Sequence, residues 1–145
     1  MEARVITKHS SLGDVLELLR ESKLPYQDID LRNNLFISYH GEEGRMIGSG
    51  GLEFYSNYAL LRSVAVDEAH RGKSIGKKIV EDLLSRAKEK SIHEVYLLTE
   101  TAHEFFLKRG FADIARNNVP IEVKASTEFS SVCPDSASAM IYRIV

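Results

Sequence analysis

The sequence predicts an α/β fold in which a mixed β-sheet carries helices on its surface. Residues 35–66 hold three β-type runs separated by short turns, which indicates an antiparallel meander. Apolar residues then recur at helical spacing from Ile75 to Ala87. The short apolar run "EVYLLT" follows, so we expect the antiparallel meander to be joined to a parallel βαβ crossover of right-handed sense.

The pattern over residues 1–34 predicts one strand, one helix and an irregular connection. "ARVITK" has the alternation of a strand. Ser11 with Asp14 is expected to open a helix, and Pro25 is expected to stop it. The apolar positions of that helix are Leu12, Val15, Leu16 and Leu19.

The meander consists of "LFISYH", "RMIGSGGLEFY" and "ALLRSVAV", joined by the turn segments "GEEG" and "SNY". We expect its middle strand to be loosened by its three glycines.

The second half adds two helices and three strands. Thr101 is expected to cap the helix "AHEFFLKR", and Gly110 to end it in the left-handed conformation. "FADIAR" and "SAMIYRIV" predict the last two strands. The predicted order of the chain is therefore β-α-β-β-β-α-β-α-β-β.

Composition is that of a globular protein and argues against several classes of partner. The chain has 145 residues, 43% hydrophobic and 28% charged, with a formal net charge of −2, whereas general nucleic-acid binders are basic. It shows no signal peptide and nothing near the ~20 apolar residues of a membrane span. The single cysteine, Cys133, excludes an internal disulfide framework. We therefore expect a cytoplasmic protein without nucleic-acid or membrane partners.

The stretch "HRGKSIGKK" indicates an anion site. Small residues running into a helix start present unpaired backbone amides, and the helix dipole adds positive potential. An ATP or GTP P-loop is excluded, because Asp67 stands where that motif needs its first glycine. A solvated basic helix face is the alternative interpretation of the same residues.

The segment "SVAVDEAHRGKSIGKKIVEDLL" resembles the acetyl-CoA site of the GNAT superfamily of N-acetyltransferases. Arg71 and Gly76 match the family's Arg/Gln-x-x-Gly-x-Gly/Ala pattern, while Ser74 replaces its middle glycine. The resemblance implies a GNAT-like acyl-CoA N-acyltransferase fold over residues 1–145 as a single domain. It assigns the CoA diphosphate to the amides of Arg71, Gly72, Lys73, Ser74, Ile75, Gly76 and Lys77. It assigns the pantetheine arm to the amides of Val64, Ala65 and Val66.

The segment "AHEFFLKRGF" extends the resemblance, which covers nearly all of the chain from Ile47 onward. It is similar to the family's A-x-x-F-Y-x-x-x-G-F helix, with Phe106 in the usual tyrosine position, where we expect a cofactor contact but no proton donor. "LLTETAHEFFLKRGF…VP" resembles the N-acetylglutamate synthase-like branch. Within that branch, "STEFSSVCPDSASAM" resembles the small N-acetyltransferases encoded beside arsenic-resistance genes.

The resemblance implies that an amine attacks the thioester of acetyl-CoA directly in a ternary complex. The Val64 amide is expected to meet the oxyanion. Glu53 is the first candidate for the base, with a rim glutamate as the alternative interpretation, and Glu100 is the second candidate. Leu60 occupies the position where many relatives carry a glutamate, so it cannot serve. Tyr55 and Tyr96 are candidate proton donors to the thiolate.

Two arginines are candidates for binding an amino-acid substrate. Arg62 lies on the strand beside the thioester, and its planar fork suits a carboxylate, although a cross-strand ion pair explains it equally well. Arg116 in "ARNNVP" is a weaker candidate for the same task. One cysteine cannot capture arsenite, so Cys133 suggests burial or a place near the pocket. The histidines lack ligand spacing, and we expect no metal.

Two functions stay open on the sequence alone. The favoured one is acetyl transfer to a small amine, namely an amino acid or an amino-bearing toxic compound. The alternative is a catalytically weak or inactive CoA-binding or sensing module, because Ser74, Phe106 and Leu60 all depart from the family pattern. A homodimer is possible in either case.

Overall fold

A computed structural model of the chain describes residues 1–132 and 136–144. It contains one seven-stranded sheet, with four helices on its faces. The strands are β1 (Glu2–Val5), β2 (Asn34–His40), β3 (Met46–Tyr55), β4 (Tyr58–Val66), β5 (Glu94–Thr99), β6 (Ala112–Asp113) and β7 (Ser138–Arg143). The helices are α1 (Gly13–Glu21), α2 (Ile75–Glu89), α3 (His103–Lys108) and α4 (Ile121–Lys124).

The strand order across the sheet is β1-β2-β3-β4-β5-β7-β6. β2, β3 and β4 form the predicted antiparallel meander, and β1 adds to its edge, antiparallel to β2. β4 and β5 are the parallel pair, joined through α2 as the sequence predicts. β7 returns between β5 and β6, antiparallel to both, an insertion that strand patterns alone do not reveal.

Alternation along the strands divides the core between two faces of the sheet. On one face, Ile37, Leu52 and Leu61 pack against the apolar stripe of α2. The buried residues of that stripe are Ile79, Val80, Leu83 and Ala87. On the other face, Phe36 packs with α1. Leu60 packs on the same face with Val123 of α4 and with Phe129, both in the chain between β6 and β7, which we call the C-terminal segment.

The glycines of β3 permit close approach to its neighbours. A Cβ added at Gly48 would lie 2.7 Å from Ile79 Cδ1, and one at Gly50 would lie 2.6 Å from Leu83 Cδ1. A Cβ at Gly51 would lie 2.6 Å from the Phe36 ring. The glycines therefore allow α2 to approach the sheet closely and leave room for the Phe36 ring of β2.

The sequence misplaced two helix caps. Ser11 lies in a 3₁₀ turn, His9–Ser11, and α1 begins at Gly13 with no side-chain cap. At α3, which begins at His103, Thr101 makes no capping bond and the helix has no side-chain cap. The Thr99 Oγ1 accepts a hydrogen bond from the Ala102 amide at 2.9 Å, just before the helix. Gly110 has the predicted left-handed conformation, with φ +99°.

The C-terminal part of the chain is more helical than predicted. "FADIAR" yields only the two residues of β6, followed by a 3₁₀ turn at Arg116–Asn118 and by α4. A π-helical segment, Glu128–Val132, then precedes β7. Among the residues described here, no helix has the length and apolar character needed to cross a bilayer.

Candidate functional site

A groove opens in the sheet where β4 and β5 separate. The two strands pair at Tyr58, Ala59 and Leu60, and in the described chain β4 has no β5 partner from Leu61 to Val66. Parallel strands that diverge in this way leave one edge of each without its ladder of hydrogen bonds. The groove therefore offers backbone donors and acceptors to a ligand.

The Val64 and Val66 amides face this groove. The Asp67 amide donates to the Ile47 carbonyl at 2.8 Å, so it points to β3. Successive amides alternate along a strand, which directs Ala65 to β3 as well, and Val64 and Val66 to the open edge. Of the three amides predicted to meet a pantetheine arm, two are therefore oriented toward the groove.

A bulge at Ser63 changes the course of β4 just before these amides. Its φ is +61°, and the register between β3 and β4 shifts by one residue at this point. The Ser63 carbonyl accepts a hydrogen bond of 2.7 Å from the buried Ser49 hydroxyl. A bulge bends its strand and increases the local twist. It thereby contributes to the separation of β4 from β5.

The groove ends at the loop that enters α2. Arg71 Nε donates to the Val66 carbonyl at 3.0 Å, which ties the loop to the end of β4. The first intrahelical bond runs from the Lys78 amide to the Ser74 carbonyl. The amides of Ile75, Gly76 and Lys77 accordingly have no partner within the helix.

The predicted anion loop is exposed from Arg71 to Ser74. The first turn of α2, which follows the loop, contains no acidic residue. Gly72 and Ser74 both have left-handed backbones, with φ +81° and +63°. Gly76 lies closely against Phe105, since an added Cβ would lie 3.3 Å from the ring. The loop therefore turns its backbone toward the helix start without a competing side-chain cap.

Beside the groove, on the face of α1, lies a buried ionic cluster centred on Arg62. Its guanidinium binds Asp28 through two bonds, Nη1–Oδ2 of 2.5 Å and Nη2–Oδ1 of 2.7 Å. Nη1 also donates to Glu53 Oε2 at 3.0 Å. Glu128 Oε2 lies 3.3 Å from Nε. We refer to Arg62, Asp28, Glu53 and Glu128 as the Arg62 cluster; their side chains are between 1% and 7% exposed.

Glu53, the first candidate base, is fixed at both oxygens. Oε1 accepts a bond of 2.7 Å from the Tyr55 hydroxyl, while Oε2 faces Arg62. Burial and the bond to Glu53 raise the pKa of Tyr55 well above its usual value, so this phenol is a poor acid. The Glu53 side chain is thus buried and has a defined orientation, and it does not lie on an exposed rim.

Arg62 has no N–H group left over for a ligand. Nε donates to the Ser63 hydroxyl at 3.1 Å, and Nη2 also donates to the Pro25 carbonyl at 3.3 Å. Together with Asp28 and Glu53, these acceptors engage all five of its N–H donors. Binding a substrate carboxylate would therefore require Arg62 to release a protein group, and that role stays a prediction.

Burial strongly affects the ionisation of Glu128 in the cluster. Burial raises its pKa to about 7, partly opposed by Arg62 and reinforced by the charges of Glu53 and Asp28. Sequence reasoning found neither Asp28 nor Glu128. They lie in irregular or unusual segments, and only the folded chain brings them to Arg62.

The remaining predicted residues are spread around the site. Glu100 is exposed just after β5. Arg116 donates to the Ala137 carbonyl at 2.9 Å and lies over the Phe129 ring, so it anchors the C-terminal segment. Phe106 is 8% exposed and packs edge-on against Phe105 and Phe111 in the core.

Leu60 and Tyr96 pair across β4 and β5, and both are buried. Tyr96 donates to Glu94 Oε1 at 3.0 Å, and burial with this bond raises its pKa. Cys133 lies outside the described residues. Within the described ranges, no group of three His, Cys, Asp or Glu side chains is arranged to hold a metal ion.

Comparison with known proteins gives matches that agree with this geometry. The model of the "Acetyltransferase (GNAT) family" matches residues 10–111. An amino-acid acetyltransferase of Mycobacterium tuberculosis is 40% identical over 82 residues, which are 55% of this chain and 46% of that protein. The chain spans about half the length of the curated relatives that it matches.

Solved structures match over the whole chain. A Mycobacterium tuberculosis protein crystallised in complex with CoA has a TM-score of 0.76 at 24% identity, covering 100% of both chains. N-acetylglutamate synthase from Neisseria gonorrhoeae, complexed with CoA and N-acetyl-glutamate, has a TM-score of 0.78 at 15% identity, covering 100% of this chain and 36% of that one. These likenesses confirm the fold that the sequence predicted.

Proposed function

This chain belongs to the acetyltransferase (GNAT) family, and from that premise we propose that it transfers the acetyl group of acetyl-CoA to the amine of a small molecule. The observation that carries the proposal is the groove between β4 and β5, which leads from the Arg62 cluster to the start of α2. An amino acid is the favoured acceptor, because a relative of 40% identity is an amino-acid acetyltransferase.

The residues around the groove fit an acyl-CoA. The free amides of Ile75, Gly76 and Lys77, with the helix dipole behind them, would hold the diphosphate. Exposed Arg71, Lys73 and Lys77 add positive charge near the loop. The Val64 and Val66 amides would pair with the amide groups of the pantetheine arm as an added strand does.

When bound, acetyl-CoA supplies a thioester whose carbonyl carbon forms a bond with the amine nitrogen. The C–S bond breaks, and the thiolate leaves with its electron pair. The Val64 amide is aimed at the groove, where it can donate to the carbonyl oxygen as negative charge develops there. Glu53 accepts the proton of the amine, directly or through a water molecule. Its near-complete burial favours the route through water.

The ionisation of the amine favours an α-amino acceptor. A free α-amino group with a pKa of ~8 is about one-tenth neutral at pH 7, whereas a lysine side chain with a pKa of ~10.4 is neutral only in a few parts per ten thousand. The difference is about 3 kcal/mol of deprotonation that the base must offset. A single carboxylate such as Glu53 is therefore better matched to an amino acid than to a lysine side chain.

No phenol is needed for departure of the thiolate in this scheme. The raised pKa values of Tyr55 and Tyr96 make both hydroxyls weak proton donors. A thiol with a pKa of ~8.5 leaves readily as an anion and can take its proton from water. The absence of a hydroxyl at Phe106 is then compatible with turnover.

Glu53→Gln tests the base. We expect kcat with an amino-acid acceptor to fall about tenfold to a hundredfold at pH 7, because a positioned base contributes on this scale or more. The loss should shrink at pH 9, where more amine is already neutral, and the affinity for CoA should not change. Thiol release from acetyl-CoA, with a panel of amino acids, measures the rate, and calorimetry measures the affinity.

Glu100→Gln is the matched control, because it makes the same change at the exposed second candidate. A loss of kcat confined to Glu100→Gln would transfer the role of base to that residue. Tight CoA binding by the wild-type protein without turnover across the panel would refute acetyl transfer and favour a CoA-sensing module. The link to arsenic resistance is a prediction that an amino-bearing arsenical in the same panel would test.

A further inference from the structure

The C-terminal segment contributes a carboxyl group to the Arg62 cluster from beyond the stretch that matches the family. The family match ends at residue 111, and Glu128 begins the π-helical segment Glu128–Val132. Buried Ser126 braces this turn: its hydroxyl accepts from the Phe129 amide at 3.3 Å, and its carbonyl accepts from the Ser130 amide at 2.9 Å. Glu128 is therefore fixed against Arg62 by local structure of its own.

The cluster holds more negative than positive groups. Three carboxyl groups, those of Asp28, Glu53 and Glu128, surround one guanidinium at distances of 2.5 to 3.3 Å. Within residues 1–132 and 136–144, the titratable and charged groups that face Glu128 are Arg62, Glu53, Asp28 and Tyr55. Buried like charges disfavour simultaneous ionisation, so the protonation states of Glu53 and Glu128 must depend on each other.

We propose that Glu128 is a positioning residue that sets the proton affinity of Glu53 through the guanidinium that the two share. The inference rests on the proposed function of Glu53 as base. When Glu128 is ionised, it shares the charge of Arg62 and adds negative potential, so Glu53 binds a proton more strongly. When Glu128 is neutral, Arg62 is left to Asp28 and Glu53, and Glu53 is a weaker base.

This coupling between Glu128 and Glu53 acts at pH values near neutrality. Because burial raises the pKa of Glu128 to about 7, its charge changes across neutral pH. The basicity of Glu53 then rises with pH over the same interval in which the acceptor amine loses its proton. The C-terminal segment thereby influences the reaction through Glu128.

Glu128→Gln fixes that side chain in a neutral state of nearly the same size. We expect the acid limb of the pH profile of kcat/KM to move down by about one pH unit, and kcat at pH 8 to fall roughly three- to tenfold, because a weaker base removes protons more slowly. The KM for acetyl-CoA should not change. Glu122→Gln is the matched control, since Glu122 is exposed on α4 of the same segment.

A titration of Glu53 tests the coupling without any turnover. The carboxyl carbon of Glu53 is followed by ¹³C NMR in wild-type protein labelled at glutamate, with the signal assigned by its loss in Glu53→Gln. We expect a second inflection near pH 7, from Glu128, that disappears in Glu128→Gln and persists in Glu122→Gln.

The outcomes separate the two proposals. Superimposable Glu53 titrations in the wild type and Glu128→Gln overturn the inference, whatever the activity. If Glu128→Gln does not fold, the wild-type curve alone decides, because a single inflection for Glu53 refutes the coupling. A coupled titration in a protein that shows no acetyl transfer leaves the coupling intact and refutes the proposed function.

Discussion

At the scale of single residues, the most informative departure from the family pattern is Ser74. Ser74 places a Cβ where the family pattern has a glycine. The structure shows a conformational cost at this position: Ser74 has φ +63°, a left-handed backbone that residues with a Cβ adopt at a cost of about 1 kcal/mol or more. Its neighbour Gly72 adopts the same region without that cost.

Ser74→Gly should therefore raise the unfolding free energy by up to about 1 kcal/mol, since glycine adopts this backbone without strain. The affinity for CoA should hold or increase, because the amides of the loop keep their directions. Urea denaturation measures the first quantity and calorimetry with CoA measures the second.

Ser85→Gly is the control for this change. Ser85 is exposed inside α2, where the backbone is right-handed, so the same substitution should lower the unfolding free energy by about 0.5 kcal/mol. Equal losses of stability in both variants would show that the left-handed backbone at Ser74 carries no strain.

At the scale of elements, the contact of α2 with β3 determines where the anion loop lies. Gly50 lies beneath Leu83 and Ile79, at distances that leave no room for a side chain. Any displacement of α2 from the sheet also moves its first turn relative to the end of β4. Packing on the sheet and geometry of the groove are therefore linked through one helix.

Gly50→Ala should lower the unfolding free energy by about 1–3 kcal/mol and weaken CoA binding, because its Cβ would lie 2.6 Å from Leu83 Cδ1 and 3.1 Å from Ile79 Cγ2. Thermal and urea unfolding measure the loss of stability. Adding Leu83→Ala should produce less than the sum of the two single losses, since it removes the clashing atom.

Gly13→Ala is the matched control, because a Cβ there meets no atom within 4 Å. That variant should change the unfolding free energy by no more than about 0.5 kcal/mol. A similar loss in both variants would contradict the account of the β3 glycines as packing positions.

The elements also show what sequence patterns can predict. The strands of the meander lie where β-type runs between turns placed them, and the stripe of α2 lies where helical spacing placed it. The strands are buried on both faces of the sheet, whereas α2 buries one side. The predicted caps at Ser11 and Thr101 were wrong, because α1 and α3 both begin without a side-chain cap. Short helices such as α4 have too few residues to show a period.

At the scale of the whole molecule, the Arg62 cluster links parts of the chain that are distant in sequence. Asp28 lies 34 residues from Arg62, in the connection after α1, and Glu128 lies in the C-terminal segment. Glu53 and Arg62 could be predicted because they lie on adjacent strands of the meander. Their partners could not, because no periodicity or motif marks a carboxylate in an irregular connection.

The cluster should leave a signature in the pH dependence of stability. Burial raises the pKa of Glu128 from its ordinary value of 4.5 to about 7 in the folded protein. The folded state therefore binds this proton more tightly than the unfolded state does. That contribution is complete below about pH 4.5 and is lost as pH rises through about 7; the difference between the two values corresponds to roughly 3 kcal/mol of unfolding free energy.

Glu128→Gln should remove this part of the dependence. Its unfolding free energy should be close to that of the wild type at pH 5 and exceed it by roughly 1–3 kcal/mol at pH 8, since the amide never carries the buried charge. Urea denaturation at intervals between pH 5 and pH 8 measures both curves, and Glu122→Gln should follow the wild type throughout. Parallel curves for the wild type and Glu128→Gln would mean that Glu128 is ionised at pH 5 in the folded protein, with Arg62 offsetting its burial in full.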